Sequence, residues 1–256
     1  MEVLGLIILG LVQGLCEFLP VSSSGHLVFF SKIFGISDNL FVSIILHTAT
    51  LLSICVVLRK EVFSLVKNPF SKQGKDIMIA TIPTCLIVIL LMGLVNESFE
   101  GKFLGVSFLC SAILLVLGEI VAKRNKSKIN FPLSTKQCLI MGIAQGIAVF
   151  PGLSRSGTTI SAGIMANGNK EECAKFSFLM SIPVVILSLL LEIYKICFLS
   201  QPLGQINVLG LIIAFILAFV TGAISIKFMI KLSSQANFKW FALYLVFMSI
   251  LSFCVL

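Results

Sequence analysis

The sequence predicts an all-α polytopic membrane protein: an inverted-topology repeat with six spanning helices and two re-entrant helix-break-helix hairpins. Three observations predict it. Of 256 residues, 58% are hydrophobic and only 12% are charged, with a mean hydropathy of +1.10, which leaves too little polar surface to cover a soluble globule. The apolar runs approach the roughly 20 residues that a helix needs to cross a hydrocarbon core, and no period-2 barrel pattern is present. Finally, one stretch occurs twice: residues 13–27 read QGLCEFLPVSSSGHL and residues 145–159 read QGIAVFPGLSRSGTT, at a constant offset of 132.

The overlay is ungapped. It pairs Gln13 with Gln145, Gly14 with Gly146, Phe18 with Phe150, Ser22 with Ser154, Ser24 with Ser156 and Gly25 with Gly157. Each copy is an apolar run, a proline, a hydroxyl-rich turn and a second apolar run that starts at Ser-Gly. The copies differ in charge: Glu17 and His26 face Val149 and Thr158, and Arg155 faces Ser23.

Taken in order, residues 1–19 and 22–35 form the first hairpin. Each arm is short for a span, and Pro20 with Ser22, Ser23, Ser24 and Gly25 breaks the helix between them. Spans are expected at about 40–58, 77–95 and 103–122, with boundaries good to a few residues. The second hairpin covers 137–150 and 156–167, broken at Pro151-Gly152, and spans follow at about 174–197, 206–226 and 238–256. The repeats are thus 1–123 and 137–256, in one membrane domain. The start at Met1-Glu2-Val3 lacks the positive segment of a secretory signal, so the N-terminus is expected to be retained.

A hairpin returns to its own side and three spans do not, so the second repeat must enter the membrane upside down. Loop charges agree. Loops assigned inside carry 15 of the 19 Lys and Arg, from Arg59, Lys60, Lys67, Lys72 and Lys75 through to Lys227, Lys231 and Lys239. Only Lys32, Lys102 and Lys195 fall outside, and Arg155 lies in the second hairpin. Both termini and the first hairpin's mouth are then outside, and the second hairpin's mouth is cytoplasmic. Topology accounts for the net charge of +8, and no nucleic-acid partner is expected. The eight cysteines are scattered through apolar runs without a C-x-x-C pair, as small buried hydrophobes.

Charge inside a bilayer is expensive unless it is paired or wet, which marks Glu17, His26 and Arg155 as functional candidates. Gln13 and Glu17 are four apart and share a helix face. Each half-helix beginning at Ser-Gly offers free N–H groups and a positive dipole end to an anion, and Arg155 adds a planar donor fork suited to phosphate. A carboxylate aimed at a phosphate must hold a divalent metal or handle a proton. A serine beside His26 supplies a nucleophile and a base.

Structural alternatives stay open at several positions. Ser22 and Ser154 also fit helix N-caps, and Ser24, Ser156, Gly25 and Gly157 fit the demands of a tight break. Gln13 and Gln145 fit inter-helix hydrogen bonding, and Glu17 with Arg155 fits a buried ion pair. His47 reads as a packed polar residue. Glu119 and Glu192, near span ends, can reach the interface, and Pro83 and Pro183 read as kinks.

The two stretches resemble the signature motifs of the bacterial undecaprenyl-diphosphate phosphatase family, the bacitracin-resistance proteins. Residues 13–26 are similar to (E/Q)-x-x-x-E followed by a serine-rich turn and histidine; residues 151–159 are similar to P-G-x-S-R-S-x-x-T. The resemblance implies hydrolysis of undecaprenyl diphosphate to undecaprenyl phosphate and inorganic phosphate in the cytoplasmic membrane, with the site open to the outer face. Bacitracin would compete for the same lipid. By the same resemblance Glu17 and Gln13 are the acidic-motif pair, Ser23 the nucleophile, His26 its base and Arg155 the diphosphate clamp. Ser22, Ser24, Gly25, Ser154, Ser156, Gly157, Thr158 and Thr159 surround the substrate. A divalent cation, magnesium or calcium, would bridge Glu17 and the diphosphate. Because position 13 is Gln, Glu17 is the motif's one carboxylate. Attack by Ser23 or by an activated water, and a monomer or a homodimer, are left undecided. The competing class is a polyprenyl-phosphate transporter or flippase, since broken helices in inverted repeats are typical of carriers.

Overall fold

In lipid a backbone is satisfied only in helices or closed barrels, and the elements of the computed structural model, among the residues it describes, are helices. It describes residues 3–33, 40–98, 103–124, 132–198, 207–235 and 237–255. Among these residues lie α1 (Val3–Phe18), α2 (Ser23–Ile33), α3 (Leu40–Val57), α4 (Arg59–Lys67), α5 (Lys72–Ser98) and α6 (Leu104–Arg124). They are followed by α7 (Thr135–Ile147), α8 (Arg155–Met165), α9 (Lys170–Phe198), α10 (Val208–Gln235) and α11 (Lys239–Val255). The protein is an all-α polytopic membrane protein. Four helices, α5, α6, α9 and α10, are long and apolar enough to cross a membrane, and α3 with α4 makes a fifth if that pair, bent by 88°, is counted.

The sixth expected span is α11, an apolar helix of 17 residues. At 1.5 Å per residue it falls a little short of the roughly 30 Å hydrocarbon thickness. Two further differences have simple causes. Residues 59–67, read as loop, form α4, whose charged sequence hides a helix from a search for apolar runs. The expected end of a span at 226 is passed by α10, which runs on to Gln235 because the long stems of Lys227 and Lys231 are compatible with a helix that leaves the apolar layer.

Large apolar side chains cover the outer surface, among them Leu90, Trp240 and Val208, at 81%, 76% and 69% exposure. Such a surface suits lipid and not water. Inside, Phe18 and Phe178 are both fully buried, with rings edge-on at 5.4 Å. That contact anchors the end of α1, one residue after Glu17.

The helix that precedes each break packs on a long helix distant in sequence: α1 along α10, and α7 along α5. Small residues make this possible. A methyl group on Gly10 would lie 2.5 Å from the Ala214 carbonyl oxygen, and one on Gly14 would lie 2.5 Å from that of Ala218. Their counterparts at the offset of 132, Gly142 and Gly146, press on Ala80 and Ile87 in the same manner. The Gly-x-x-x-Gly spacing is therefore duplicated with the hairpins. α6 and α11, the last helices of the two halves, pack on each other.

The two breaks meet by reciprocal contacts. A methyl on Gly25 would sit 2.7 Å from Gly152 Cα, and one on Gly157 would sit 3.2 Å from Pro20 Cβ. Each pair is the image of the other at the repeat offset. The Ser156 hydroxyl donates to the Leu19 carbonyl at 2.9 Å, tying the second break to the first.

Candidate active site

The first break starts where Pro20 ends α1, since a proline cannot donate to the helix ladder. A tight turn follows, with the Val21 N–H on the Leu19 carbonyl at 2.8 Å. Ser22 then adopts φ 69°, a left-handed conformation that costs a non-glycine residue roughly 1–2 kcal/mol. The Ser22 carbonyl of this turn accepts from the His26 backbone N–H at 3.2 Å and pairs with His26 Nδ1 at 2.7 Å. A carbonyl can only accept, so Nδ1 carries the proton, and in the neutral ring the lone pair is on Nε2.

Both serine turns cap the helix that follows. The Gly25 N–H donates to Ser22 Oγ at 3.2 Å, and the Gly157 N–H to Ser154 Oγ at 3.1 Å. The hydroxyls of Ser22 and Ser24 are 3.4 Å apart, as are those of Ser154 and Ser156. The capping alternative is thus what these two serines do here. The second break is further held by Ser111 of α6, which accepts from the Ser154 N–H at 2.8 Å and donates to the Gly152 carbonyl at 3.2 Å.

Glu17 is the hub. One carboxylate oxygen is ion-paired with Arg155 Nη2 at 2.5 Å. The other accepts from Ser23 Oγ at 2.5 Å and from Gln13 Nε2 at 3.1 Å. The duplicated breaks therefore bring Gln13, Glu17 and Ser23 of the first together with Arg155 of the second. The side chains of Glu17 and Arg155 are only 9% and 18% exposed.

Two polar atoms on the hub's own residues, Arg155 Nη1 and Gln13 Oε1, are buried without a partner, as are Thr158 Oγ1 and Ser161 Oγ further along α8. Leaving such an atom unpaired costs about 1–3 kcal/mol, which a bound ligand or water would recover. Thr159 is committed elsewhere. Its hydroxyl donates to the Arg155 carbonyl at 2.8 Å and meets Ser177 Oγ at 2.6 Å, fixing α8 against α9. His26 is held between the Ser22 carbonyl and the Tyr244 hydroxyl, the latter 2.6 Å from Nε2. His47 keeps Nδ1 at 2.9 Å from the Ser43 carbonyl. Glu119, expected to reach the interface, is instead buried and ion-paired with Lys170 at 2.7 Å.

No group of three or more His, Cys, Asp or Glu positioned for a metal is found among the described residues. The donors present nevertheless suit a hard cation that shares its coordination with phosphate oxygens: the Glu17 carboxylate, and Gln13 Oε1 with its free lone pairs.

Some of these residues carried no motif. Ser111 and Ser177 lie in apolar helices, and Tyr244 is one of many aromatic residues in the chain. The doubled Gly10 and Gly142 were readable, since they extend the repeat three positions upstream of Gln13 and Gln145.

Together these features define a polytopic membrane protein whose polar site is assembled from two duplicated helix breaks. The family model of the bacitracin resistance protein BacA matches residues 6–251, and the chain belongs to that family. An undecaprenyl-diphosphatase of Bacteroides thetaiotaomicron is 40% identical, covering 93% of this chain and 92% of that protein. One of Bacteroides fragilis is 38% identical over 100% and 98% of the two chains, and one of Carboxydothermus hydrogenoformans is 36% identical over 93% and 91%.

Proposed function

We infer that this chain is an undecaprenyl-diphosphatase, which hydrolyses undecaprenyl diphosphate to undecaprenyl phosphate and inorganic phosphate. Full-length relatives bearing that name support the reading. The observation that carries it here is the chain of contacts from Ser23 through Glu17 to Arg155, with Arg155 Nη1 buried and unpaired beside it. A carrier that releases its ligand unchanged has no need of a hydroxyl held on a carboxylate.

The isoprenoid tail lies among the apolar helices, and the diphosphate reaches the breaks from the outer side of the cytoplasmic membrane. That orientation rests on the loop charges and the inverted repeat. Arg155 and the N-terminus of α8 take the negative charge on the phosphoryl oxygens. Ser23 Oγ, or a water in its place, attacks the terminal phosphorus in line, and its proton passes to the Glu17 oxygen it already contacts. The phosphoanhydride P–O bond breaks and undecaprenyl phosphate leaves. If Ser23 is the nucleophile, water then hydrolyses the phosphoserine. Protonation of Glu17 removes the charge that holds Arg155 Nη2, so the guanidinium is released toward the phosphate as the negative charge arrives. Glu17 and Gln13 Oε1 would hold the divalent cation, magnesium or calcium, which would offset the repulsion between carboxylate and diphosphate.

The test is phosphate release from a farnesyl or undecaprenyl diphosphate by the detergent-purified protein, with and without EDTA, beside Arg155→Ala and Glu17→Gln. Release by the wild type, and its loss in both variants and in EDTA, is the expected result. A folded, lipid-binding wild type that releases no phosphate would replace this reading with a polyprenyl-phosphate carrier.

A further inference from the structure

His26 is 1% exposed, and the backbone and side chains around it enclose its ring. The Ser22 carbonyl holds Nδ1, the Tyr244 hydroxyl sits 2.6 Å from Nε2, Phe108 packs edge-on at 5.4 Å and Phe30 lies at 6.3 Å. The Tyr244 ring is nearly parallel to the imidazole, at 7° with centroids 5.6 Å apart. None of these groups carries a charge. Tyr244 belongs to α11, 218 residues away in sequence, and is 40% exposed on the apolar side of the bundle. Packing alone would be served there by phenylalanine or leucine. What tyrosine adds is a hydroxyl turned inward onto a buried nitrogen.

We propose that Tyr244 is the positioning residue of His26: its hydroxyl donates to the Nε2 lone pair, fixes the ring's plane and tautomer together with Ser22, and becomes the acceptor when Nε2 takes up a proton. The hydroxyl suits both roles because it has one proton to give and lone pairs to receive one. Its rotation is the only movement that the change of protonation state requires. Without it, Nε2 would be buried with no partner in the neutral state and with an unsatisfied N–H in the charged state. Ser23 is held by Glu17, so His26 is kept ready for a proton other than the one on Ser23, such as that of the water that hydrolyses the phosphoserine. This use of His26 rests on the phosphatase reading, whereas the placement of its ring does not.

The experiment uses the full-length protein in detergent, labelled with 15N-histidine, as wild type and as Tyr244→Phe, which keeps the stacked ring. The chain has only two histidines, His26 and His47, and a His47→Gln variant assigns their signals. In the wild type, Nδ1 of His26 is expected to be protonated and Nε2 unprotonated but hydrogen-bonded. In Tyr244→Phe the Nε2 resonance moves to that of a free unprotonated nitrogen. In parallel, kcat for phosphate release falls roughly tenfold, about what one lost hydrogen bond is worth, while KM is unchanged. Adding Tyr244→Phe to His26→Ala should cost nothing further. An Nε2 signal that does not move, or an unchanged kcat beside an active wild type, overturns the proposal. A wild type that releases no phosphate but shows the Nε2 shift upholds the placement by Tyr244 and sinks the phosphatase reading instead.

Discussion

Glu17 and Arg155, 138 residues apart in sequence, are ion-paired at 2.5 Å where two helix breaks cross, and the same carboxylate also accepts the Ser23 hydroxyl. One acidic group thus links the proposed nucleophile to the proposed phosphate clamp.

Glu17→Gln keeps the shape and removes the proton acceptor. Phosphate release should fall by about 10²–10⁴-fold in kcat, the usual contribution of a general base. Substrate binding, measured by equilibrium titration with a non-hydrolysable diphosphonate, should weaken far less. An equal loss in both would show that Glu17 acts through binding, by holding Arg155 or the cation, and not as the proton acceptor.

Arg155→Lys keeps the charge but loses the planar fork, including the unpaired Nη1. A fall of roughly 10²–10³-fold in kcat/KM is expected, the cost of one transition-state donor. Activity within a few-fold of wild type would mean that charge alone suffices.

Gln13→Glu gives the site a second carboxylate next to Glu17. If these two residues hold the divalent cation, the half-saturating magnesium or calcium concentration in the release assay should drop, since added ligand charge raises affinity. An unmoved cation dependence would place the ion elsewhere.

Gly14→Ala drives a methyl to 2.5 Å from the Ala218 carbonyl oxygen. It should lower stability by about 1–3 kcal/mol in thermal melts, as overpacking does. Gly93→Ala, where no atom lies within 4 Å, is the control and should be neutral or slightly stabilising.

A second ion pair joins buried Glu119 to the partly exposed Lys170, which is also 5.2 Å from the Phe238 ring centroid. Lys170→Met alone should cost about 1–3 kcal/mol by leaving Glu119 uncompensated. Pairing it with Glu119→Leu should recover most of the loss. A single variant that melts like wild type would show the pair to be dispensable.

The membrane class, the helix-break-helix units and the identity of the polar residues are legible from the residues alone. These depend on local chemistry: apolar run length, proline placement, and the cost of charge in lipid. The duplicated glycine spacing is legible too, because an ungapped repeat preserves every position at one offset. The partnerships were not legible. Ser23 and His26 are three residues apart and look like a nucleophile with its base. Yet the turn at Ser22 directs Ser23 to Glu17 and leaves His26 between a backbone carbonyl and Tyr244. Side-chain direction at a helix break depends on one or two backbone dihedrals and on what packs from distant helices, and neither is written in residue spacing. For the same reason it is the packing of distant helices that brings Thr159 to Ser177, pairs buried Glu119 with Lys170, and makes α11 supply the partner of the buried histidine.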